Sequence, residues 1–172
     1  MVESSVVEAA AICLGDDIDT DLIIAGRYLR TKDQQIWADH VLEDLDPTLH
    51  TRLNGCIIVA GKNFGCGSSR EQAVVAIQKA GVKAIVARSF ARIFFRNALN
   101  VALPLFEVPD IACHEGDRII CALETGQITV QNETGKIVTY QAYQLSERML
   151  EIIFFGGLVP YIANRLSNKI SS

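Results

Sequence analysis

Short apolar segments alternate with amphipathic segments in the first part of the chain. Three apolar runs have the length of strands: residues 5–14, Cys56–Ala60 and Val82–Ala87. Two segments place apolar residues at helical spacing: Gln72–Ala80 and Phe90–Asn97, and Ser89 is in position to cap the second. A turn and a further strand follow at Asn100–Phe106. This β-α-β-α-β order predicts a parallel sheet whose strands are joined by right-handed crossovers.

The next part of the chain has a different pattern, in which apolar and polar residues alternate over short runs. These runs are Asp117–Leu123, Gln127–Asn132 and Lys136–Tyr140. Gly126 and the segment Asn132-Glu133-Thr134-Gly135 separate them, and such residues favour tight turns between antiparallel strands. The pattern predicts a β-meander after the parallel core.

Two helices are predicted near the carboxyl terminus. Leu145–Phe155 has helical spacing, with Ser146 as its N-cap. A pair of glycines interrupts it, and Leu158–Leu166 is predicted to form a last short helix. The tail from Ser167 to Ser172 is expected to fray.

Composition and charge indicate an ordinary globular protein. The 172 residues suffice for one core, and no repeat or linker divides them, so we expect one α/β domain over residues 1–172. The net charge of −4, with no basic cluster, disfavours nucleic-acid binding. No apolar run approaches a membrane span, and residues 1–5 do not start a signal peptide. We therefore expect a cytoplasmic protein without nucleic-acid or membrane partners.

Cysteine usage gives no sign of a metal centre within the chain. The five cysteines are Cys13, Cys56, Cys66, Cys113 and Cys121. Their odd number and the lack of a C-x-x-C motif argue against a disulfide framework and against a self-contained zinc or iron–sulfur site. Four lie in or beside apolar stretches and are predicted to be small core residues, whereas Cys66 lies in a glycine-rich turn. We expect no metal and no cofactor held by this chain itself.

That glycine-rich turn connects the second predicted strand to the helix that follows it. Gly65 and Gly67 permit backbone angles and close approaches that a Cβ would forbid. The first helical turn is predicted to carry Ser68, Ser69 and Arg70. Free N–H groups and the helix dipole favour an anion there, and the arginine adds a planar fork of donors. The pattern favours a carboxylate-binding site.

The same residues also fit a purely structural interpretation. Ser68-Ser69-Arg70-Glu71 matches the S-x-x-E capping box, in which Ser68 satisfies the helix end and Glu71 reaches back. The turn lacks the Gly-Lys-Ser/Thr of a phosphate-binding loop and the G-x-G-x-x-G of a dinucleotide site. The turn by itself therefore leaves anion binding and simple capping both open.

Two further polar segments precede the turn. Asp16–Asp21 has four carboxylates in six residues and is predicted to be a solvated turn with an Asp or Thr helix cap. It lacks the glycine and the distal glutamate of an EF-hand calcium loop. Arg27–Lys32 is basic and aromatic and is predicted to be a loop, and loops on a rigid scaffold often carry specificity.

Three motifs in order resemble a known family. They are Gly15–Ile23, Gly61–Glu71 and Ala87–Asn97. Together they resemble the swivel domain of the aconitase family, most closely the free-standing small subunits of 3-isopropylmalate dehydratases. The resemblance spans nearly the whole chain and implies a swivelling β/β/α fold, compatible with the parallel core and the meander. Leu22 stands where full-length aconitases carry histidine, which argues against aconitase itself.

The resemblance implies that the active enzyme consists of two different subunits. In this family a large subunit holds a [4Fe–4S] cluster, one iron of which binds the substrate, and the swivel domain closes over it. Ser68 matches the general base, and Ser69 and Arg70 match residues that bind a substrate carboxylate. The implied activity is that of a hydro-lyase of leucine biosynthesis. It isomerises 2-isopropylmalate to 3-isopropylmalate and is active only together with the large subunit.

The variable arm of the substrate is left open by the resemblance. In the family a loop reads this arm, and Tyr28 and Arg30 fall in it, so both are expected to contact substrate. An arginine there favours a second anionic arm, as in homoaconitate, or a tolerant pocket. The alternatives are a small subunit of homoaconitase or of another alkylmalate hydro-lyase. From a different class, an anion-binding module that works without a partner is also open.

Overall fold

The computed structural model describes residues 5–170, with side chains described through residue 168. Its strands are β1 Val6–Cys13, β2 Ile57–Ala60, β3 Ala84–Ala87, β4 Leu105–Glu107, β5 Arg118–Ala122, β6 Gln127–Gln131 and β7 Ile137–Gln141. Its α-helices are α1 Thr20–Ile23, α2 Gln34–Asp39, α3 Glu71–Lys79, α4 Arg92–Asn100, α5 Glu147–Phe154 and α6 Leu158–Ile170. Short 3-10 helices lie at Gly26–Arg30 and Leu49–Arg52. The order of these elements is the α/β order predicted from the pattern.

The strands belong to one mixed sheet in the order β4-β3-β2-β1-β5-β6-β7. β1 to β4 are parallel, with Ile58 of β2 opposite both Ile12 of β1 and Ile85 of β3. β5, β6 and β7 form an antiparallel meander, and β5 pairs with the other edge of β1, where Val7 faces Cys121. The predicted parallel core and meander are both confirmed. β1 joins them, because it pairs with β2 on one side and with β5 on the other.

The central strands are buried on both faces. Ile58 and Ile85 belong to a core cluster that includes Ile77 of α3. The alternate residues of the same strands, Ile57 and Val86, belong to a second cluster on the opposite face. Burial on both sides explains why β2 and β3 are continuous apolar runs rather than alternating ones.

The prediction that Ser68, Ser69 and Arg70 lie in the first turn of a helix is wrong. Neither Ser68 nor Ser89 caps a helix, and the predicted cap at Ser146 is confirmed. α3 begins at Glu71 behind Arg70, which is extended and makes no side-chain capping bond, so Ser68 and Ser69 precede the helix. α4 begins after Ala91, and the hydroxyl of Ser89 instead accepts the Asn63 N–H at 2.8 Å. The Ser146 hydroxyl does cap α5, by accepting the N–H of its third residue at 3.4 Å.

The late start of α4 has a tertiary cause. Phe64 forms a parallel β-bridge with Phe90, because its N–H donates to Ser89 and its carbonyl accepts from Ala91, each at 3.0 Å. These bonds hold residues 89–91 extended, so helical geometry can begin only afterwards. The bridge also fixes the glycine turn against the start of α4.

The last helix is longer than predicted. α6 runs to Ile170 instead of ending at Leu166, and residues 171 and 172 lie outside the described residues. The Ser167 hydroxyl donates to the Ala163 carbonyl at 3.0 Å, so a polar residue of the tail bonds back one turn. The predicted end of this helix at Leu166 is therefore wrong, whereas fraying of the tail stays a prediction.

Within residues 5–170, no single helix is both long and apolar enough to cross a membrane. α5 and α6 together have a suitable length and composition, but the chain bends by 97° between them.

Candidate active site

The acidic segment and the glycine turn lie side by side at the carboxyl ends of β1 and β2. Backbone bonds join them along their length: Gly61 N–H to Gly15 O at 3.0 Å, Asp17 N–H to Lys62 O, Gly65 N–H to Ile18 O and Thr20 N–H to Cys66 O, each at 2.8 Å. The Asp16 carboxylate also accepts the Lys62 N–H at 2.7 Å. The acidic segment, predicted to be a solvated turn, therefore serves as the support on which the glycine turn rests. Its predicted Asp cap is confirmed, because Asp19 accepts the Leu22 N–H at 2.8 Å.

Close approach explains the glycines of this turn. Gly65 has a φ of +77°, and a Cβ there would lie 2.1 Å from Cγ of the buried Phe94. A Cβ on Gly61 would lie 1.8 Å from an oxygen of Asp16. The turn can follow this path only without these side chains.

Ser68 is exposed, and a buried threonine forms hydrogen bonds with it. Thr20 is 2% exposed, and its hydroxyl donates to the Ser68 carbonyl at 3.1 Å. The Thr20 Oγ1 also lies 3.2 Å from the Ser68 Oγ, a distance at which either oxygen can donate. Thr20 thus bonds both the backbone and the hydroxyl of Ser68. This contact spans 48 residues of sequence and fixes where that hydroxyl lies.

Arg70 is anchored through one of its nitrogens. Its Nη1 forms an ion pair with Asp21 and donates to the Ile24 carbonyl at 3.3 Å. The Arg70 side chain is 23% exposed, whereas that of Asp21 is 66% exposed. Both bonds use Nη1, so the other two guanidinium nitrogens bond neither Asp21 nor Ile24. Ser69 is exposed between Ser68 and Arg70, which brings two hydroxyls and a guanidinium together at one edge of the sheet.

Tyr28 and Arg30 lie on the 3-10 helix rather than in the loop predicted at 27–32. This helix begins two residues after Ile24, whose carbonyl accepts from Arg70, so the segment starts beside the serine–arginine cluster. Arg30 is exposed at its end. The Tyr28 hydroxyl contacts both carboxylate oxygens of Glu43 at 3.0 Å and is held within the chain.

A small polar network holds this 3-10 helix in place. The Tyr28 ring stacks on His40 with 4.0 Å between the ring centroids, and the Trp37 indole donates to the Tyr28 carbonyl at 3.1 Å. His40 Nδ1 also bonds Glu43, and this contact is the largest cause of the lowered pKa of the Glu43 carboxyl. The bonds from Tyr28 and Arg27 lower the pKa of Glu43 further. The network therefore favours an ionised Glu43.

Sequence reasoning grouped Ser68, Ser69 and Arg70 but missed two residues of the site. Thr20 and Asp21 were assigned only to a solvated turn. The acidic motif does contain a threonine between two aspartates. Their role becomes apparent only when this motif is seen to pair with the glycine turn, which is distant in sequence.

The cysteines do not form an iron–sulfur site. All five thiols are free, and those of Cys56 and Cys121 are buried. Among the described residues, no three or more His, Cys, Asp or Glu side chains are grouped to hold a metal ion. The residues of this chain therefore do not fit a [4Fe–4S] cluster.

A family model of the aconitase C-terminal domain matches residues 16–109. That range contains the acidic segment, the 3-10 helix, the glycine turn and α4. The fold and the serine–arginine cluster thus define a protein of the aconitase C-terminal domain class.

Relatives narrow this class. The 3-isopropylmalate dehydratase small subunit of Moorella thermoacetica is 47% identical over 168 residues, which cover 96% of this chain and 99% of that protein. The one from Aliarcobacter butzleri is 48% identical over 158 residues and covers 91% and 93%. The crystal structure of 3-isopropylmalate dehydratase from Methanocaldococcus jannaschii matches with a TM-score of 0.89 at 40% identity, covering 96% of this chain and 98% of that one. The chain belongs to the family of 3-isopropylmalate dehydratase small subunits.

Proposed function

We propose that this chain is the small subunit of a 3-isopropylmalate dehydratase, a hydro-lyase of leucine biosynthesis. The reaction interconverts 2-isopropylmalate and 3-isopropylmalate by removing water and adding it back. The observation that carries the proposal is the 47% identity over nearly the full length of a relative with this name, together with the serine–arginine cluster within the matched range.

Ser68 acts as the general base. It takes a proton from the carbon next to the hydroxyl-bearing carbon as water is lost. A serine alkoxide is poorly stable in water, so donors must be aimed at it in a closed site. Thr20 is such a donor. Its hydroxyl has a single proton, and the hydrogen bond that it donates to the Ser68 carbonyl can switch to the Ser68 Oγ when negative charge develops there. Because Thr20 is buried, this support needs no solvent.

Arg70 and Ser69 bind a substrate carboxylate. A guanidinium held on one side by Asp21 keeps a planar set of donors in a fixed direction, which suits bidentate recognition of a carboxylate. The Ser69 hydroxyl, exposed beside it, adds a third donor. Asp21 restrains the arginine through Nη1 and leaves the other guanidinium nitrogens to bind the carboxylate.

A partner chain completes the site. Ser68 and Ser69 are exposed in this chain, so water would quench an alkoxide here. A large subunit that closes over this edge removes that water. We assign the iron–sulfur cluster implied by the family to that partner, because among the described residues of this chain no three or more His, Cys, Asp or Glu side chains are grouped to hold a metal ion. A cytoplasmic location stays a prediction.

The test is a reconstituted complex containing Ser68→Ala. Co-expression with candidate large subunits, followed by an absorbance assay for the unsaturated intermediate, measures turnover. We expect a loss of about 100- to 10,000-fold, since that is the range that a general base contributes. Size-exclusion chromatography should show unchanged assembly.

The matched control is Ser5→Ala, an exposed serine at the opposite end of β1, which should leave turnover unchanged. Near-normal turnover of Ser68→Ala in an assembled complex would refute the base assignment. Failure of every large subunit to bind, with carboxylate binding by the isolated chain, would favour the partner-free module.

A second candidate substrate has an acidic arm, as in homoaconitate. The exposed Arg30, at the end of the 3-10 helix that starts beside Arg70, favours it. A panel of malates with apolar and acidic arms, assayed with wild type and Arg30→Val, separates the two. If the arm is acidic, the variant loses about 10-fold or more in kcat/KM for that substrate alone. Equal rates over the whole panel would contradict both assignments.

A further inference from the structure

Two cysteines far apart in sequence meet at the end of β1. Cys13 is the last residue of β1, and Cys113 lies in the connection between β4 and β5. The Cys13 Sγ lies 3.7 Å from the Cys113 carbonyl oxygen, and the Cys113 Sγ lies 3.4 Å from the His114 carbonyl oxygen. Both line a cavity of about 460 Å³ and are half-buried. They were predicted to be core residues, which is correct only for Cys56 and Cys121.

Backbone pairing holds the two cysteines together. The Ala11 N–H donates to the Asp117 carbonyl at 2.8 Å, and the Gly116 N–H donates back to Ala11 at 3.0 Å. The Cys13 N–H donates to the Glu115 carboxylate at 2.7 Å. The residues that follow Cys113 are thus tied to the end of β1, so the approach of Cys113 to Cys13 is part of the fold.

The two thiols differ chemically. Contact with Cys113 is the largest influence on Cys13 and lowers its pKa, although burial and the charges of Glu115 and Asp117 act against it. The pKa of Cys113 is raised, first by the same contact and then by burial. A thiol with a lowered pKa attacks as the thiolate, and a neighbour that keeps its proton can resolve the product.

The other thiols lack this arrangement. Burial raises the pKa of Cys56 and of Cys121 to about 12, and neither is open to solvent. Cys66 is half-buried in the glycine turn, and burial is the first cause of its raised pKa. Cys13 and Cys113 are therefore the pair that combines contact with access.

The geometry points to a redox site in which Cys13 and Cys113 form a reversible disulfide by exchange with a low-molecular-weight disulfide. The Cys13 thiolate attacks one sulfur of that disulfide, forms a mixed disulfide and releases one small thiolate. Cys113 then loses its proton, its sulfur attacks Cys13 Sγ, and the second small thiolate leaves. The chain loses two electrons and two protons, and the small disulfide is reduced to two thiols.

The bond would close a loop of about a hundred residues at the edge that carries Ser68. Cys13 stands two residues before Gly15, which pairs with Gly61 at the start of the glycine turn. A link to Cys113 fixes this strand end and restricts the unfolded chain. The inference does not depend on the proposed function, because it concerns thiols outside the serine–arginine cluster.

The experiment treats the reduced full-length chain with oxidised glutathione and maps the products without reductant. We expect the mass to fall by two hydrogen atoms, a peptide pair joined through Cys13 and Cys113, and a higher midpoint of thermal unfolding that dithiothreitol reverses. Cys113→Ser should stop at a stable glutathione adduct on Cys13. Cys13→Ser should lose the intramolecular bond completely, and the control Cys66→Ser should form it as wild type does.

A measurement on the wild type needs no variant. Brief alkylation of the reduced chain should label Cys13 ahead of Cys113, and prior oxidation should protect both. Adducts on Cys66 alone, disulfides only between molecules, or an unchanged mass after prolonged oxidation would each overturn the proposal. So would equal protection of all five thiols, since that reports burial and not a bond.

Discussion

At the scale of single residues, the position of the Ser68 hydroxyl depends on the lack of a side chain at Gly65 and on the buried hydroxyl of Thr20. Gly65 lets the turn pack directly on Phe94, and Thr20 bonds Ser68 from the acidic segment. The serine–arginine pattern is visible in sequence because its members are adjacent. The Thr20 contact is not, because the two residues are 48 positions apart.

We predict that Gly65→Ala destabilises the chain much more than Gly135→Ala. Both glycines have positive φ, +77° and +81°, so each substitution strains the backbone by about 1–2 kcal/mol. Only at Gly65 does the new Cβ meet a buried ring, which adds about 1–3 kcal/mol. Urea unfolding of both variants measures the difference. Equal losses would show that the packing on Phe94 is not restrictive.

At the scale of elements, the 3-10 helix that carries Tyr28 and Arg30 is held by charge and ring contacts. Arg27 pairs with Asp44 at 2.5 Å and with Glu43 at 3.1 Å, while His40 and Tyr28 meet the same glutamate. The sequence predicted a loop because the segment is polar and lacks an apolar stripe. The contacts that join this helix to residues 37–44 span 9 to 17 positions of sequence.

We predict that this network gives the chain an acid-sensitive contribution to stability. The pKa of Glu43 is lower in the folded chain than its ordinary value near 4.3, so the ionised form favours folding. That contribution is complete above the ordinary pKa and is lost as the pH falls through the folded-state pKa. Glu43→Gln should lower the unfolding midpoint at about pH 7 and show a smaller further loss on acidification.

Thermal unfolding from about pH 7 down to about pH 3 measures this dependence. The control Glu133→Gln changes an exposed carboxyl in the turn between β6 and β7 and should parallel wild type. If Glu43→Gln kept the full acid dependence of wild type, the network would not be its source.

Helix starts were the least predictable feature at this scale. Ser68 and Ser89 have the residue type and spacing of N-caps. The strand-like bridge between Phe64 and Phe90 takes precedence at Ser89, and the contacts with Thr20 take precedence at Ser68. By contrast, Ser146 has no such competitor and caps α5 as predicted. A local capping preference of about 1 kcal/mol yields to several tertiary hydrogen bonds.

At the scale of the whole molecule, β2 is the strand on which both cores depend. Ile57 is fully buried in one cluster, and its neighbour Ile58 is fully buried in the other. Strands β1 and β3 pair on either side, so a defect in β2 reaches the glycine turn directly after it.

We predict that Ile57→Ala costs about 2–5 kcal/mol of unfolding free energy, since it leaves a cavity that packed neighbours cannot fill. The matched control is Ile137→Ala on the edge strand β7, where the side chain is 60% exposed, and it should cost less than about 1 kcal/mol. Guanidinium unfolding compares them. A similar cost at both positions would contradict the two-sided core.

The sequence by itself determined the strand and helix order, the parallel core with its meander, and the family, because these follow from local periodicity and from motifs of adjacent residues. Only the tertiary structure decided that β1 joins core and meander, that Thr20 and Asp21 support Ser68 and Arg70, and that Cys13 meets Cys113. The physical reason is the range of the forces involved. Burial patterns repeat along the chain, whereas these bonds join segments that only the folded sheet brings together.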